Sequence, residues 1–311
     1  RASESDVPDI ADRPSIDRWI LSQVSNMADK VDSFFRAWEF HKAGREIERF
    51  IVDDLSNWYV RRSRRRLWDE AESADKAACH HTLREVLLVT CRIMAPIAPF
   101  MPDRIHRDLT GASVHLADWP CGSETLDRTL TPRDTKLESR MALARNLAEA
   151  GRRIRVDSSR RQRLPCRKGW IVGDAEVGDL KDILSEELNV ESLENEEDLE
   201  RFQKIELKPN RKTLGRKCTS DLPAVLNELS EIDPDSFLLE IQAGIAHLAG
   251  YPIDMEDVEI RRVEKEGFAA MTVESGGKDV TLVLDLSLDD ALLSKGLARD
   301  IIRRVQARRK E

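Results

Sequence analysis

Between Ile16 and Met94 the apolar residues recur at steps of three and four, a period that amphipathic α-helices satisfy and strands do not. Ile16, Trp19, Ile20, Val24, Met27 and Val31 form a first stripe, with Asp12 or Ser15 placed to cap it. Ala43, Ile47, Phe50, Ile51, Leu55 and Trp58 form a second, and Leu83, Val86, Leu87, Thr90, Cys91 and Met94 a third. Each helix has one apolar face to bury, so three of them joined by short polar links are expected to close into an antiparallel bundle. Pro96 and Pro99 punctuate the third helix, and a shorter one is predicted from about Pro102 to Leu109, stopped at Gly111.

After Ser113–Pro120 a Gly/Ser/Thr stretch marks the expected domain boundary, giving a bundle over 1–125 and a second domain over 126–311. That second domain opens with a basic helix from about Pro132 to Arg155. Leu137, Met141, Ala144, Leu147, Ala148 and Ile154 are predicted inward, and Arg140, Arg145, Arg152, Arg153 and Arg155 mostly outward. Beyond Pro165 the period changes. Short strands are expected at Gly169–Val172, Lys204–Leu207, Asp257–Val263, Phe268–Val273 and Asp279–Leu284, with Ser275-Gly276-Gly277 turning a hairpin. Helices are expected at Leu180–Leu188, Leu222–Leu229, Pro234–Leu248 and Asp289–Arg309. The fold class is α followed by α+β: a helix bundle, then a mixed α+β domain.

Several functional classes are excluded at this level. No apolar run approaches the roughly 18 residues of a membrane span. The five cysteines are scattered without a C-x-x-C pair, so reduced structural thiols are expected rather than a zinc ribbon or a disulfide framework. No residues pair for nucleophilic or general acid-base work, and no catalytic or metal role is assigned to any of the six histidines. The opening Arg1-Ala2-Ser3, without an initiator Met or an apolar signal segment, is what a cytoplasmic fragment of a longer protein would show.

The net charge of −8 conceals a strong local asymmetry. From Arg133 to Lys168 there are twelve Lys/Arg against four Asp/Glu, or +8; from Asp174 to Glu200 there is one Lys against twelve acids, or −11. The segment from Glu186 to Glu200 needs partners; Arg299, Arg303, Arg304 and Arg308 on the last helix, beside its apolar stripe Leu293, Leu297, Ile301 and Val305, suit either phosphate or that segment, and pairing with the segment is expected.

The densest signal is Leu55-Ser56-Asn57-Trp58-Tyr59-Val60-Arg61-Arg62-Ser63-Arg64-Arg65-Arg66-Leu67-Trp68, with five arginines in six positions. At about 100° per residue they spread around the helix, so several must reach solvent or a ligand. Guanidinium forks suit phosphate, and neighbouring aromatics suit unpaired bases. Spacing alone leaves a second use open, in which Arg65 and Arg66 pair with Asp69 and Glu70 and both tryptophans belong to the core.

This run resembles the signature of the anticodon-binding bundle of isoleucyl-tRNA synthetases. Asp17-Arg18-Trp19-Ile20-Leu21-Ser22 resembles the start of that bundle, Met94–Pro102 the end of its third helix, and Ser113–Pro120 its exit. Arg163-Leu164-Pro165-Cys166-Arg167-Lys168 resembles the family's Arg-x-Pro segment in its archaeal and eukaryotic form, and Glu187-Leu188-Asn189-Val190, Leu207-Lys208-Pro209-Asn210 and Gly296–Gln306 resemble later segments in the family's order.

The resemblance implies contact with the anticodon stem-loop of an isoleucine tRNA through Asn57, Trp58, Arg61, Arg62, Arg64, Arg65 and Arg66. The basic helix would extend that surface through Arg140, Arg145, Arg152 and Arg153, with Arg163 and Arg167 near the seam with the bundle. No H-I-G-H or K-M-S-K-S type sequence is present, so the ATP and Mg²⁺ that the parent enzyme uses belong with catalytic and editing domains outside this chain. A zinc module like that ending bacterial relatives is not expected, nor is a DNA or membrane partner. Two alternatives stay open here: a standalone tRNA-binding or assembly module without synthetase activity, and a helical scaffold with no RNA role.

Overall fold

The first apolar stripe becomes α1 (Ser15–Arg36), with Ile16, Trp19, Ile20, Val24, Met27 and Val31 all buried. The computed structural model describes residues 8–120, 132–175, 177–218, 221–244 and 246–309. Neither expected residue caps α1 through its side chain. Pro14 occupies the cap position, and the adjacent Arg13 instead ties the start of the helix to the third long helix of the bundle through Thr82 and both carboxylate oxygens of Glu85.

The second stripe lies on one unbroken helical rod. It begins as α2 (Phe40–Arg49), widens into a π-helical stretch over Phe50–Val60, and tightens again as α3 (Arg61–Leu67). The i→i+5 bonding of the wide turn changes which residues face inward. Phe50, Asp54, Leu55, Trp58 and Tyr59 are buried, whereas Ile51 lies only half inside. In α4 (Ala74–Met94) the inward set is also rotated from expectation: Val89 and Ile93 are buried, and Leu83, Leu87 and Met94 are half-buried. The largest apolar residues define the stripe in sequence, while the helix turns its small ones, Ala77, Ala78 and Cys79, against its neighbours. α5 (Phe100–Thr110) ends at Gly111, whose φ of +82° supplies the left-handed cap.

The chain forms two compact units, one running to Ala144 and including Val177–Leu180, the other comprising residues 145–176 and 181–311. The expected boundary at 125/126 falls outside the described residues. α6 (Thr135–Asp157) contributes to both units: Leu137, Met141, Leu143 and Ala144 are buried in the first, and Leu147, Ala148, Ala150 and Ile154 in the second.

The second unit is α+β. Its four-stranded sheet has the order β2-β1-β8-β7, in which β1 (Cys166–Val172) runs parallel to β2 (Val190–Glu196) and antiparallel to β8 (Lys278–Asp285). β7 (Phe268–Ser275) joins β8 through Gly276 and Gly277, at φ +61° and +77°, with Ser275 opposite Lys278; this is the predicted two-residue hairpin. β3 (Gln203–Pro209) pairs antiparallel with β6 (Val258–Glu264). α7 (Lys181–Leu188) precedes β2, and α8 (Arg211–Lys217), α9 (Leu222–Glu231) and α10 (Pro234–Gln242) gather a core of Leu214, Val225, Phe237 and Leu248. The short β4 (His247–Leu248) and β5 (Tyr251–Pro252) pair with each other, and the last helix is α11 (Asp290–Arg308).

Strand β2 lies inside the acidic run, which no strand expectation covered. It is one edge of the sheet, where the charged side chains of Glu191, Glu194 and Glu196 discourage pairing with another chain. Among the described residues no helix is long and apolar enough to cross a membrane.

Candidate nucleic-acid interface

α3 divides the arginine cluster by its own geometry. Arg61, Arg64, Arg65 and Trp68 follow one another at steps of three, one and three, which places them on one helix face, and all four are exposed. Trp68, which ends the helix, is 77% exposed. Arg64 and Arg65 make no side-chain ion pair with a described residue, and Arg66 pairs with Asp17 and Asp75, so the alternative pairing of Arg65 and Arg66 with Asp69 and Glu70 does not form. Asn57 is exposed one turn earlier, its carbonyl accepting from Arg61 Nε at 2.9 Å.

The opposite face is structural. Trp58 is 5% exposed, donates its Nε1–H to Met141 Sδ at 3.3 Å, and presents its ring to the guanidinium carbons of Arg61 and Arg62 at 5.9 and 5.8 Å. It offers no face to a base. Arg66 forms a two-bonded fork with Asp17, at 2.8 and 2.7 Å, and bonds Asp75 through Nε at 2.9 Å. Asp17 is fully buried and also accepts from the Tyr59 hydroxyl at 2.9 Å. Burial and the Asp17 carboxylate push the Tyr59 phenol well above its ordinary range. The side chain of Arg66 is only 18% exposed, so this arginine holds the bundle together rather than meeting a ligand. Asp17 was the residue that could have revealed this, as an acid on the apolar face of α1, but nothing in the spacing linked it to a position 49 residues on.

The remaining candidates divide in the same way. Arg140 is caged, donating to Val177 O at 3.0 Å and pairing with Asp179, and a Cβ on Gly178 would strike its guanidinium. Arg145 is half-buried on α6. Arg152, Arg153, Arg163 and Arg167, all in the second unit, are exposed. Their pairs with Glu187, Glu149, Asp300 and Asp289 are surface contacts worth about 0–1 kcal/mol, too weak to withhold them from a phosphate. Arg155, expected outward, is buried: it donates to Leu164 O and Leu188 O, both at 2.7 Å, and so closes the end of the helix onto the following segment.

An exposed arginine face ending in an open tryptophan, backed by a buried Asp–Arg–Tyr network, occupies a domain with known relatives. The anticodon-binding domain of tRNA ligase matches residues 17–169. Over these residues the chain carries an anticodon-binding domain of the tRNA ligase type. It is 34% identical over 329 residues to the isoleucine–tRNA ligase of Cytophaga hutchinsonii, covering 99% of this chain and 28% of that protein. It is 35% identical to an isoleucine–tRNA ligase 2 of Bacillus cereus (96% and 29% covered) and 38% identical to the isoleucine–tRNA ligase of Thermobifida fusca (98% and 29%). The chain thus spans somewhat over a quarter of the length of these curated relatives. Within the tRNA ligase domain, the matched residues include α3 and its arginines, Trp68, and all of α6.

Proposed function

We propose that the first unit holds the anticodon stem-loop of an isoleucine tRNA, as the tRNA-reading part of a cytoplasmic ligase that as a whole joins isoleucine to that tRNA with ATP and Mg²⁺. The observation that carries this reading is the exposed face of Arg61, Arg64, Arg65 and Trp68 in a domain matched as anticodon-binding. Planar guanidinium forks hold backbone phosphates, and an open indole stacks on a base splayed from the loop, which is how single-stranded RNA is ordinarily recognised. Trp68 takes the stacking role that the burial of Trp58 denies it. Asn57 and Arg62 flank that face, and Arg145, Arg152, Arg153, Arg163 and Arg167 add phosphate contacts of their own. Amino-acid activation lies with the catalytic and editing domains, since the ATP-handling motifs are absent from this sequence.

The test is binding of the chain to an isoleucine tRNA transcript, to the same transcript with exchanged anticodon bases, and to an unrelated tRNA. A preference of about tenfold, or roughly 1.4 kcal/mol, for the first that vanishes with the exchange is expected. It should be diminished in Arg64→Ala/Arg65→Ala and in Trp68→Ala. Equal binding of all three transcripts would leave a sequence-blind electrostatic surface and refute anticodon reading.

A further inference from the structure

On α11, Asp300, Arg303, Arg304 and Ala307 stand at i, i+3, i+4 and i+7 and therefore share a face. That face and the loop carrying Arg161 and Arg163 line a concavity of about 550 Å³ within the second unit, a size typical of ligand sites. The loop is fixed by its own polar contacts. Arg160 donates to Leu286 O at 2.9 Å, Gln162 Nε2 to Arg152 O at 3.1 Å, Asn189 Nδ2 to Gln162 O at 3.1 Å, and Arg299 to Arg163 O at 3.3 Å. Gly296 lets α11 approach closely, since a Cβ there would lie 2.7 Å from Leu164 Cδ1.

The charge in this cleft is unbalanced. Asp300 bonds Arg163 at 2.8 Å and faces Arg161 at 3.8 Å, whereas Arg303 and Arg304 make no ion pair with a described residue. Four guanidinium groups against one carboxylate leave a net +3. The expectation that Arg303 and Arg304 neutralise the acidic run is not met. That run takes Lys295 on Glu191, Lys168 on Glu194 and Arg201 on Glu196 instead. A concave site with uncompensated positive charge concentrates anions, and converging guanidinium forks match the oxygens of a phosphate.

We propose that Arg161, Arg163, Arg303 and Arg304 form a phosphate-binding cleft that holds the phosphodiester backbone of RNA, a site distinct from the arginine face of α3 and independent of any anticodon preference. α11 also exposes Leu297, Ile301 and Val305, and a basic amphipathic helix can lie on an anionic membrane. The arginines converge into a cleft rather than lining a flat face, which favours a strand of phosphates over a lipid surface.

The experiment uses the whole chain and a fluorescein-labelled oligouridylate of about 12 nucleotides, which carries no anticodon loop. Arg303→Gln/Arg304→Gln is expected to weaken binding about tenfold at low salt, and to lower the slope of log K against log salt by about 1.4, as two phosphates go unneutralised. Arg211→Gln/Lys212→Gln removes the same charge from exposed positions of the same unit and is expected to change affinity less than about twofold. Unchanged melting temperatures for both variants establish that the fold is intact; if Arg303→Gln/Arg304→Gln lowers its own, Arg161→Gln replaces it. Equal losses in both double variants, or none in the first, overturn the site. Displacement of the RNA by low-millimolar inorganic phosphate at matched ionic strength assigns the cleft to free phosphate and overturns the RNA reading. So does capture of the chain by phosphatidylserine vesicles that depends on Arg303 and Arg304 while oligouridylate binding does not.

Discussion

Arg65 and Arg66 are neighbours in sequence, and one helical step of about 100° sends the first to solvent and the second onto Asp17. The two should respond to truncation in opposite ways. Arg66→Ala strands a fully buried carboxylate, and losing one partner of a buried pair costs about 3 kcal/mol or more. A large drop in urea midpoint is expected, and a drop under about 1 kcal/mol would show that the Asp17 network is not holding the bundle. Arg64→Ala/Arg65→Ala removes exposed groups and should stay within about 0.5 kcal/mol of wild type while losing tRNA affinity. Loss of binding in Arg66→Ala therefore reports on folding, not on recognition. The cluster itself was legible in the sequence; its division into exposed and structural members was not, because Asp17 lies 49 positions away and meets Arg66 only through packing.

At the scale of the elements, two contacts carry predictions, and the first opposes what local propensity would suggest. Replacing a mid-helix glycine by alanine ordinarily gains about 1 kcal/mol. In α6, however, a Cβ on Gly151 would sit 2.2 Å from Leu188 Cδ2. Gly151→Ala should thus destabilise the second unit by about 1–3 kcal/mol, measured by thermal melting, and a gain would show that Leu188 yields freely. The second contact joins α5 to the segment leaving the bundle. Asp103 accepts from Ser113 Oγ at 2.6 Å, from Arg107 Nε at 2.7 Å and from Val114 N at 2.9 Å, which holds its carboxyl well below the usual carboxylate range. A depressed carboxylate contributes stability above its unfolded pKa, near 3.9, and loses it as pH falls toward the folded value. Asp103→Asn should accordingly be less stable than wild type at pH 7, with the gap closing below about pH 4 in pH-dependent denaturation. A gap that persisted unchanged into acid would exclude the ionised carboxylate as its source.

For the whole molecule, division into two compact units predicts that stability is not shared uniformly. Arg66→Ala should raise amide exchange in α1, α3 and α4 and leave the protected amides of β1 and β8 unchanged, as read by hydrogen exchange resolved along the chain. Equal deprotection in both units would show a single cooperative body. Charge is organised on the same scale. The net −8 is a sum over segments of opposite sign, and Glu191 and Glu194 are engaged by Lys295 and Lys168 rather than by Arg303 and Arg304.

The helical period from Ile16 to Met94, the hairpin at Gly276-Gly277, the α+β alternation after Pro165 and the arginine signature are local patterns. Each is dictated by residues within a turn or two of one another, so the sequence alone determined them. The burial of Trp58 and Arg155, the Arg66–Asp17 fork, the edge position of β2 and the cleft between Arg161 and Arg304 were decided only by the tertiary structure. They depend on which distant groups packing brings within hydrogen-bonding reach, and on how the widened turn at Phe50–Val60 rotates one face of a helix against the other. No periodicity read along the chain contains those two quantities.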